Sequence, residues 1–313
     1  MIPQELVDYF KADNYVAGNT IKGKRRMGDI ARASEPMYCN LINILTLRQA
    51  GEFQTVANLI ANAKARSAIV ASTLATEALL ASDIALNAIM NNHDFVLALF
   101  NSPTWAKTMS SMSSHIATNA EKYAWLVGKT KTLTMSDRTT VDFVVVGVGH
   151  DVGTDGNKVG LSFMSVPIIA QHYMNPTNVT TGGWQGSAMR TWLANELFPT
   201  FPADVKRVMK PVKKKYCATT TYTNVSESID TLWLASQREL VGDSTYGVEG
   251  EQYAFWAAHN TNADRIKYFN SSAQWWWLRS VGSSGYFRGV GTSGSPYNGN
   301  ASGSGGVSPG FAI

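Results

Sequence analysis

Apolar residues recur with helical spacing through the first 125 positions. From Ala71 the chain repeats every ten residues, as ASTLATEALL, ASDIALNAIM, NNHDFVLALF and NSPTWAKTMS. Positions five, eight and nine of the first three segments are apolar, beginning with Ala75, Ala78 and Leu79. This i, i+3, i+4 pattern forms one helix face, so residues 1–125 are predicted to be a helical region.

Ten residues make about 2.8 helical turns, so an unbroken helix would swing its apolar stripe by about 80° per repeat. Either each segment is a short helix, capped by the Ser or Asn at its second position, or one helix is buried nearly all round. Pro103 after Ser102 favours broken helices. An alanine-rich bundle with accidental periodicity is the alternative. The array resembles decapeptide segments of phage tail fibres.

Strand patterns replace helical ones from residue 126 onward. Thr139–Val148, Val212–Thr221 and Asp230–Ala235 are predicted as strands. Ser187–Leu197 is predicted as a helix with Met189, Trp192 and Leu193 inward, and Ala203–Met209 as a second helix. The pattern indicates an α+β chain, with a helical region over 1–125 and a second domain over 126–313.

Three consecutive tryptophans, Trp275, Trp276 and Trp277, precede a Gly- and Ser-rich C-terminal stretch. In a strand, Trp275 and Trp277 share one face and Trp276 takes the other. We expect the three rings to fill the core and to wedge between elements, with Trp275 and Trp277 as scaffold residues. Arg279 is the third scaffold residue and is predicted to brace the following loop by donating to backbone carbonyls.

Only 16% of the residues are charged, and the net charge is +4. Two basic clusters, Lys22–Arg26 and Lys210–Lys215, either bind phosphate or form a solvated loop and a lysine-protected strand edge. The second interpretation is favoured because no nucleic-acid motif accompanies them. We therefore expect no nucleic-acid partner.

No pattern of catalytic, metal-ligating or cofactor-binding residues stands out. Polar turn formers follow Gly147 and Gly149, where a dinucleotide site needs a helix. His150 and Asp151 are interpreted as turn residues with local backbone bonds. Cys39 and Cys217 lack metal-site spacing, and their pairing is left open. We predict no catalytic residue, no metal and no cofactor.

The first residues, MIPQE, lack the basic and apolar regions of a signal peptide. The sequence also contains no run of 18 apolar residues that could span a membrane. We expect synthesis in a cytoplasm and no membrane insertion. A virion part released by lysis suits that expectation.

Several segments occur in a recognisable order: VDFVVVGVGHD, VGLSFMS, GGWQGSAMRTWLANELFPTF, TLWLASQREL, WWWLRS and GVSPGFAI. This order resembles the C-type-lectin-like domains of phages and gut bacteria, which include variable proteins of diversity-generating retroelements. The resemblance covers about residues 138–313. It implies a homotrimer in a phage tail, a host cell-surface protein or glycan as ligand, and other tail proteins as partners. The fold also hosts formylglycine-generating, sulfatase-activating enzymes, but Cys217 stands alone in the domain, so that chemistry is not expected.

In that family the stretch after WLRS faces the ligand. Here Val281–Gly306 contains no Lys, Glu, Gln, Met or Trp, and those five types cannot arise when the first two bases of an AAC codon are randomised. A low-complexity Gly/Ser loop would lack them too, but Tyr286, Phe287, Arg288 and Tyr297 argue against a plain linker. The Tyr, Ser, Gly and Asn content is typical of a paratope. The predicted ligand-binding residues are Val281, Ser283, Ser284, Tyr286, Arg288, Gly289, Thr292, Ser293, Ser295, Tyr297, Asn298, Asn300 and Ser302.

The sequence thus predicts a non-enzymatic receptor-binding protein of a phage tail with a diversified C-terminal loop. Two rivals stay open. A polysaccharide-cleaving tail spike would need paired carboxylates in a groove, and the stretch from Val281 has none. A structural tail or decoration protein would need no receptor site.

Overall fold

A computed structural model describes residue 61 and residues 63–71, 73–80 and 83–313. The predictions for Cys39, for Lys22–Arg26 and for most of the helical region concern residues outside the described part of the chain. The chain divides into two compact units, Met1–Met112 and Ser113–Ile313. Helices and strands both occur in the described part, so the chain is of mixed α and β structure. Within that part, no helix is long and apolar enough to cross a membrane.

The described part of the first unit consists of short helices at ten-residue intervals. They are α1 (Ala63–Ala71), α2 (Thr73–Leu80), α3 (Asp83–Met90) and α4 (His93–Asn101). Each helix contacts the next one, and α1 also contacts α4. The side chain of Asn92 caps α4 by accepting from the Phe95 N–H at 3.0 Å.

One fully buried apolar side chain occurs every ten residues in this unit. The residues are Ile69, Leu79, Ile89, Leu99 and Met109. The helices end after eight or nine residues, so each one begins afresh in phase with its own repeat. The breaks remove the rotation that an unbroken helix would accumulate.

The boundary between the units lies earlier than the predicted boundary at 125/126. Helix α5 (Trp105–Thr118) runs through Met112. Its Ser113 hydroxyl accepts from the Gly160 N–H at 2.9 Å. The 3-10 helix Ala120–Leu126 is followed by Gly128, whose N–H donates to the Val145 carbonyl. Residues 113–125 therefore belong to the second unit, although their composition is helical.

The second unit contains four further α-helices and fourteen strands among the described residues. The helices are α6 (Ala188–Trp192), α7 (Ala203–Val208), α8 (Gln237–Val241) and α9 (Ala254–Ala258). The strands are β1 (Thr130–Thr134), β2 (Thr140–Val148), β3 (Val152–Gly153), β4 (Leu161–Ser165), β5 (Ala170–His172), β6 (Val212–Cys217), β7 (Val225–Asp230), β8 (Lys267–Phe269), β9 (Ser272–Gln274), β10 (Trp276–Ser283), β11 (Tyr286–Val290), β12 (Pro296–Asn300), β13 (Gly305–Val307) and β14 (Gly310–Ala312).

The first sheet has the order β1-β2-β4-β14, and all its strands are antiparallel. Phe143 on one face packs with Phe201 and Phe311. Val144 on the other face joins a second cluster that contains Trp276. The sheet is therefore buried on both faces, which accounts for the nearly continuous apolar run of β2.

The second sheet has the order β12-β11-β10-β13-β5. Strands β10, β11 and β12 form an antiparallel meander, and β13 pairs with β10 in parallel. The predicted C-terminal loop is thus wrong as a description of this stretch. Two of its strand glycines lie against aromatic rings that leave no room for a side chain: a Cβ would lie 2.6 Å from the Trp277 ring at Gly299 and 2.1 Å from the Trp275 ring at Gly305.

Two further strand predictions need correction. Strand β6 ends at Cys217 rather than at residue 221, and the next strand is Val225–Asp230 rather than 230–235. Within residues 231–235, only Trp233 forms a β-bridge, and its partner is Gly310. The run TLWLA is apolar because it crosses the core, not because it pairs along its length.

The two predicted helices are present with altered details. Helix α6 starts after the Ser187 cap, as a helix with that residue at its N-cap should, but continues as a π-helix over Leu193–Leu197. Met189 and Leu193 are buried, whereas Trp192 is only half-buried and stacks on His172 at 4.7 Å. Its predicted inward orientation is wrong.

Candidate functional site

The meander β10–β12 has two distinct faces. Residues paired across antiparallel strands project to the same side. Tyr286, Arg288 and Val290 therefore share a face with their partners Asn300, Asn298 and Pro296. Phe287 and Gly289 share the opposite face with Gly299 and Tyr297.

The predicted ligand-binding residues divide between these faces and the turns. Ser284 lies in the β10–β11 turn, and Thr292, Ser293 and Ser295 lie in the turn between β11 and β12. The exposed ones are Ser284, Tyr286, Thr292, Ser293, Asn298, Asn300 and Ser302. The half-buried ones are Ser283, Ser295 and Tyr297.

Three predicted residues are buried, which contradicts a direct ligand contact in this conformation. Val281 is fully buried and pairs with Phe287, which is fully buried too. Gly289 is buried beside the Tyr297 ring. Arg288 is 7% exposed and spends its hydrogen bonds within the protein. Strand alternation turns these positions inward, and composition alone does not reveal which ones.

Arg288 organises the more polar face. Its Nε donates to Gln237 Oε1 and its Nη1 to Asn298 Oδ1, both at 2.5 Å. Its guanidinium carbon lies 4.2 Å from the centre of the Tyr246 ring, and Tyr246 packs edge-on against Tyr222 at 5.3 Å. We call the surface formed by Tyr222, Tyr246, Tyr286, Arg288 and Asn298 the tyrosine–arginine surface.

Sequence reasoning missed Tyr222 and Tyr246 on this surface. Both precede the C-terminal stretch, and Tyr222 has a positive φ of 56° in a turn of Thr and Asn residues. Its hydroxyl donates to the Gly282 carbonyl of β10. A tyrosine among polar turn residues was the available signal, but nothing in the sequence says that this turn reaches β10.

Two fully buried tryptophans of β10, on opposite faces of the strand, hold the meander in position. Trp276 and Leu278 are fully buried in the core cluster with Leu240 and Val290. Trp277, on the other face, is also fully buried and donates its Nε1–H to the His172 carbonyl at 2.8 Å. Both rings therefore lock β10 in place.

Arg279 donates to backbone carbonyls as expected, but these belong to earlier segments of the chain and not to the loop that follows it. It donates to the carbonyls of Lys215, Leu234 and Glu249, at 2.8, 2.8 and 3.0 Å. It also makes a bidentate pair with Glu239, at 2.5 and 2.8 Å. A fully buried guanidinium needs such complete pairing, and here the pairing ties four chain segments to β10.

The ion pair continues from Glu239 to Lys214 and Asp151, at 2.6 and 2.8 Å. Asp151 also accepts from Ser162 and Tyr253. Burial alone would raise the pKa of Asp151, but Lys214 and His150 outweigh it and lower this pKa to about 2. The prediction of a turn role for Asp151 is wrong, since its carboxylate is a partner in a buried network. Lys214 is also buried, so it is not part of an exposed lysine cluster as predicted.

A further buried carboxyl, Glu249, lies beside this network. It accepts from the Cys217 N–H at 2.6 Å and from the Ser280 hydroxyl. Burial, only partly offset by Arg279 and by these hydrogen bonds, raises the pKa of Glu249 to about 7. The frame under the meander therefore contains one carboxyl that titrates near neutrality.

On the other face, an open groove of about 450 Å³ runs beside β12. Trp275 and Tyr297, both half-buried, line it and contact each other edge to face, with ring centroids 5.7 Å apart. Trp275 was predicted as scaffold and shares a face with Trp277, as expected from strand alternation. Its half-exposed ring also makes it a surface residue of the groove.

The described residues contain no group of three His, Cys, Asp or Glu residues that could hold a metal ion. Cys217 is a buried free thiol, and burial together with Glu249 raises its pKa to about 11. A thiol that stays protonated is a poor nucleophile. The exposed chemistry of the meander is that of aromatic, amide and hydroxyl groups.

A family model described as a domain of unknown function (DUF6273) matches residues 163–313. The matched stretch begins within β4 and includes the whole meander, the groove and Arg279. No curated protein and no solved structure matches the chain.

Proposed function

We propose that this chain is a receptor-binding protein of a phage tail, with a C-type-lectin-like domain that binds a host surface ligand through the tyrosine–arginine surface. The protein acts by binding, without catalysis and without a cofactor. Its C-terminal strands are the target of retroelement mutagenesis. A protein or a glycan on the host surface is the ligand.

One observation carries this proposal: side chains suited to recognition stand on a rigid sheet. Tyr286 lies on β11, which pairs with β10, and Asn298 and Asn300 lie on β12, which pairs with β11. Strand β10 is held by two fully buried tryptophans and by Arg279. Tyr and Arg dominate binding hot spots. Exposed positions on a rigid frame accept substitution without unfolding the domain.

The order of the strands supports a C-type-lectin-like fold. Strand β14, near the end of the chain, pairs with β4 in the same sheet as β1 and β2. The strands of the meander lie in sequence between β4 and β14, which pair with each other. Residues of the meander can therefore vary while the sheet formed by the first and last strands stays the same, which suits a variable surface.

The first unit serves attachment in this proposal. Its short helices carry a buried residue every ten positions and resemble tail-fibre decapeptide arrays. Stacked repeats extend by adding neighbours, so the same faces suit assembly into a homotrimer and contact with other tail proteins in the virion.

Sequence variation among sibling genomes tests the proposal. Substitutions should concentrate between Val281 and Ser304, at exposed positions such as Tyr286, Asn298 and Asn300. Trp277, Leu278, Arg279 and Pro309 should stay fixed. A near-copy of the 3′ end of the gene beside a reverse-transcriptase gene should accompany them. Differences spread evenly over residues 130–313 would overturn the proposal.

A binding experiment separates it from a purely structural tail protein. Fluorescently labelled full-length protein is incubated with a panel of intact gut bacterial strains and measured by flow cytometry. Staining of a subset of strains, weakened by Tyr286→Ala without a change in thermal unfolding, is expected. Absence of staining on every strain supports the structural rival, and release of soluble glycan from the cells supports the tail spike.

A further inference from the structure

The groove beside β12 differs in chemistry from the tyrosine–arginine surface. None of its lining residues carries a charge: its walls are Trp275, Thr292, Tyr297, Asn298 and Asn300, and glycines line the rest. Its volume of about 450 Å³ lies within the range of small-ligand sites.

Glycines hold the Trp275 ring in a defined position. A Cβ on Gly305 would lie 2.1 Å from this ring, and a Cβ on Gly303 would lie 3.5 Å from it. The ring also packs edge-on against Trp277 at 4.7 Å. Trp275 therefore rests directly on backbone and stays half-exposed.

Tyr297 forms the second aromatic wall. It meets Trp275 at an interplanar angle of 89°, so two ring surfaces at right angles border one opening. Thr292 of the β11–β12 turn lines the same groove, as does the stretch Asn298–Asn300, whose two asparagine side chains project to the face of Tyr286 and Arg288. Apolar ring faces next to uncharged hydrogen-bonding groups match a ligand that has both an apolar face and polar edges.

We propose that this groove binds a neutral saccharide. A pyranose ring presents C–H groups on its faces and hydroxyls around its rim. The C–H groups carry partial positive charge that suits the negative face of an indole or phenol ring, and the hydroxyls suit the Thr292 hydroxyl and the backbone polar groups at the outer edge of β12, which ends its sheet. A phosphorylated or carboxylated ligand would lose its hydration in the groove without an opposite charge to pair with. The inference concerns a second site, so it does not depend on the tyrosine–arginine surface being the receptor site.

Binding of the full-length protein to arrayed glycans tests the assignment. The array carries neutral gluco-, galacto-, manno- and N-acetylhexosamine oligosaccharides together with sialylated and phosphorylated ones. Titration of the hits, followed by tryptophan fluorescence, gives the affinity. We expect binding to at least one neutral oligosaccharide and a loss of at least tenfold in affinity for Tyr297→Ala and for Trp275→Phe.

The matched control is Tyr286→Ala, because Tyr286 lies on the opposite face of the same strand pair. It should leave saccharide affinity unchanged while weakening cell binding. If Tyr297→Ala or Trp275→Phe unfolds early, Thr292→Val replaces it, because Thr292 is an exposed turn residue that lines the groove. Absence of any neutral hit, hits confined to charged glycans, or an equal loss in Tyr286→Ala overturns the assignment. The receptor proposal survives each of these results if cell binding still depends on Tyr286.

Discussion

Glu249 is the residue whose ionisation most directly affects the frame of the meander. It faces Arg279, Ser280 and Cys217, and Glu239 repels its charged form. Its pKa is about 7 in the folded chain against an ordinary value of 4.5. The folded state therefore holds a proton that the unfolded state has released between these two values. Stability from this group is present below pH 4.5 and lost as the pH rises to about 7.

We predict that Glu249→Gln abolishes this component. The free energy of unfolding of the wild type, minus that of the variant, should fall by up to about 3 kcal/mol between pH 4.5 and pH 7. Chemical denaturation of both proteins across this range gives the difference. His150, whose pKa burial lowers, acts in the opposite direction, but it is present in both proteins and cancels. A difference that does not change with pH would refute the role of Glu249.

The composition of the C-terminal stretch suggests that Arg288 contacts ligand and matters little for stability. Its burial predicts the opposite. Arg288→Ala should destabilise the protein by about 1–3 kcal/mol, because it leaves the side-chain oxygen of the buried Gln237 without its donor. Tyr286→Ala, on the same face but exposed, should change stability by less than about 0.5 kcal/mol. Trp277→Ala should cost about 3–5 kcal/mol as a buried reference. Thermal unfolding of the three variants checks this order, and equal values for Arg288→Ala and Tyr286→Ala would contradict the burial of Arg288.

At the scale of elements, the meander depends on glycines that have aromatic rings as neighbours. Gly299→Ala should destabilise the protein by about 1–3 kcal/mol, because its Cβ would lie 2.6 Å from the immobile Trp277 ring. Gly291→Ala is the matched control: the nearest atom to its Cβ is the Ser295 carbonyl oxygen at 3.5 Å. That substitution should be neutral or slightly stabilising, since alanine restricts the unfolded chain. Denaturant midpoints for the pair test the packing, and an equally tolerant Gly299 would show that the ring moves.

The sequence was informative where period and burial agree. Strand β2 and helix α7 lie within one residue of their predicted bounds, because a long apolar run and a helical face are local signals. Trp275 and Trp277 share a face for the same reason. The meander was missed as a set of strands because glycines such as Gly289 and Gly299 interrupt its apolar pattern. The Tyr297 and Trp277 rings fill the space beside these two glycines, and such long-range contacts leave no local pattern.

The same limit explains the errors at the candidate site. Composition identified the exposed members of the predicted set, since Tyr, Asn and Ser are typical of recognition surfaces. Composition did not identify the partners of Arg288, because Gln237 and Tyr246 lie about forty to fifty residues away in the sequence. Asp151 and Lys214 are likewise 63 residues apart. Charges that meet in a core look, one at a time, like ordinary surface residues.

At the scale of the whole molecule, the two units should separate in their behaviour. A fragment of residues 1–125 should associate, because stacked short helices need neighbours to cover their apolar faces. A fragment of residues 102–313, which keeps α5 intact, should fold as a monomer with its own core. Light scattering and circular dichroism of both fragments check this division. A well-folded monomer of residues 1–125 would count against the attachment role.

Strand β14 has a consequence for how the second unit is made. Phe311 pairs with Phe163, and Leu161 and Ile313 exchange backbone hydrogen bonds. Contacts between residues about 150 positions apart make folding slow, since the chain must close a long loop before they form. During translation, β4 must wait until the ribosome has released residue 312 before its sheet is complete. A stalled or truncated product would therefore expose the edge of β4, a natural point for quality-control proteases to act.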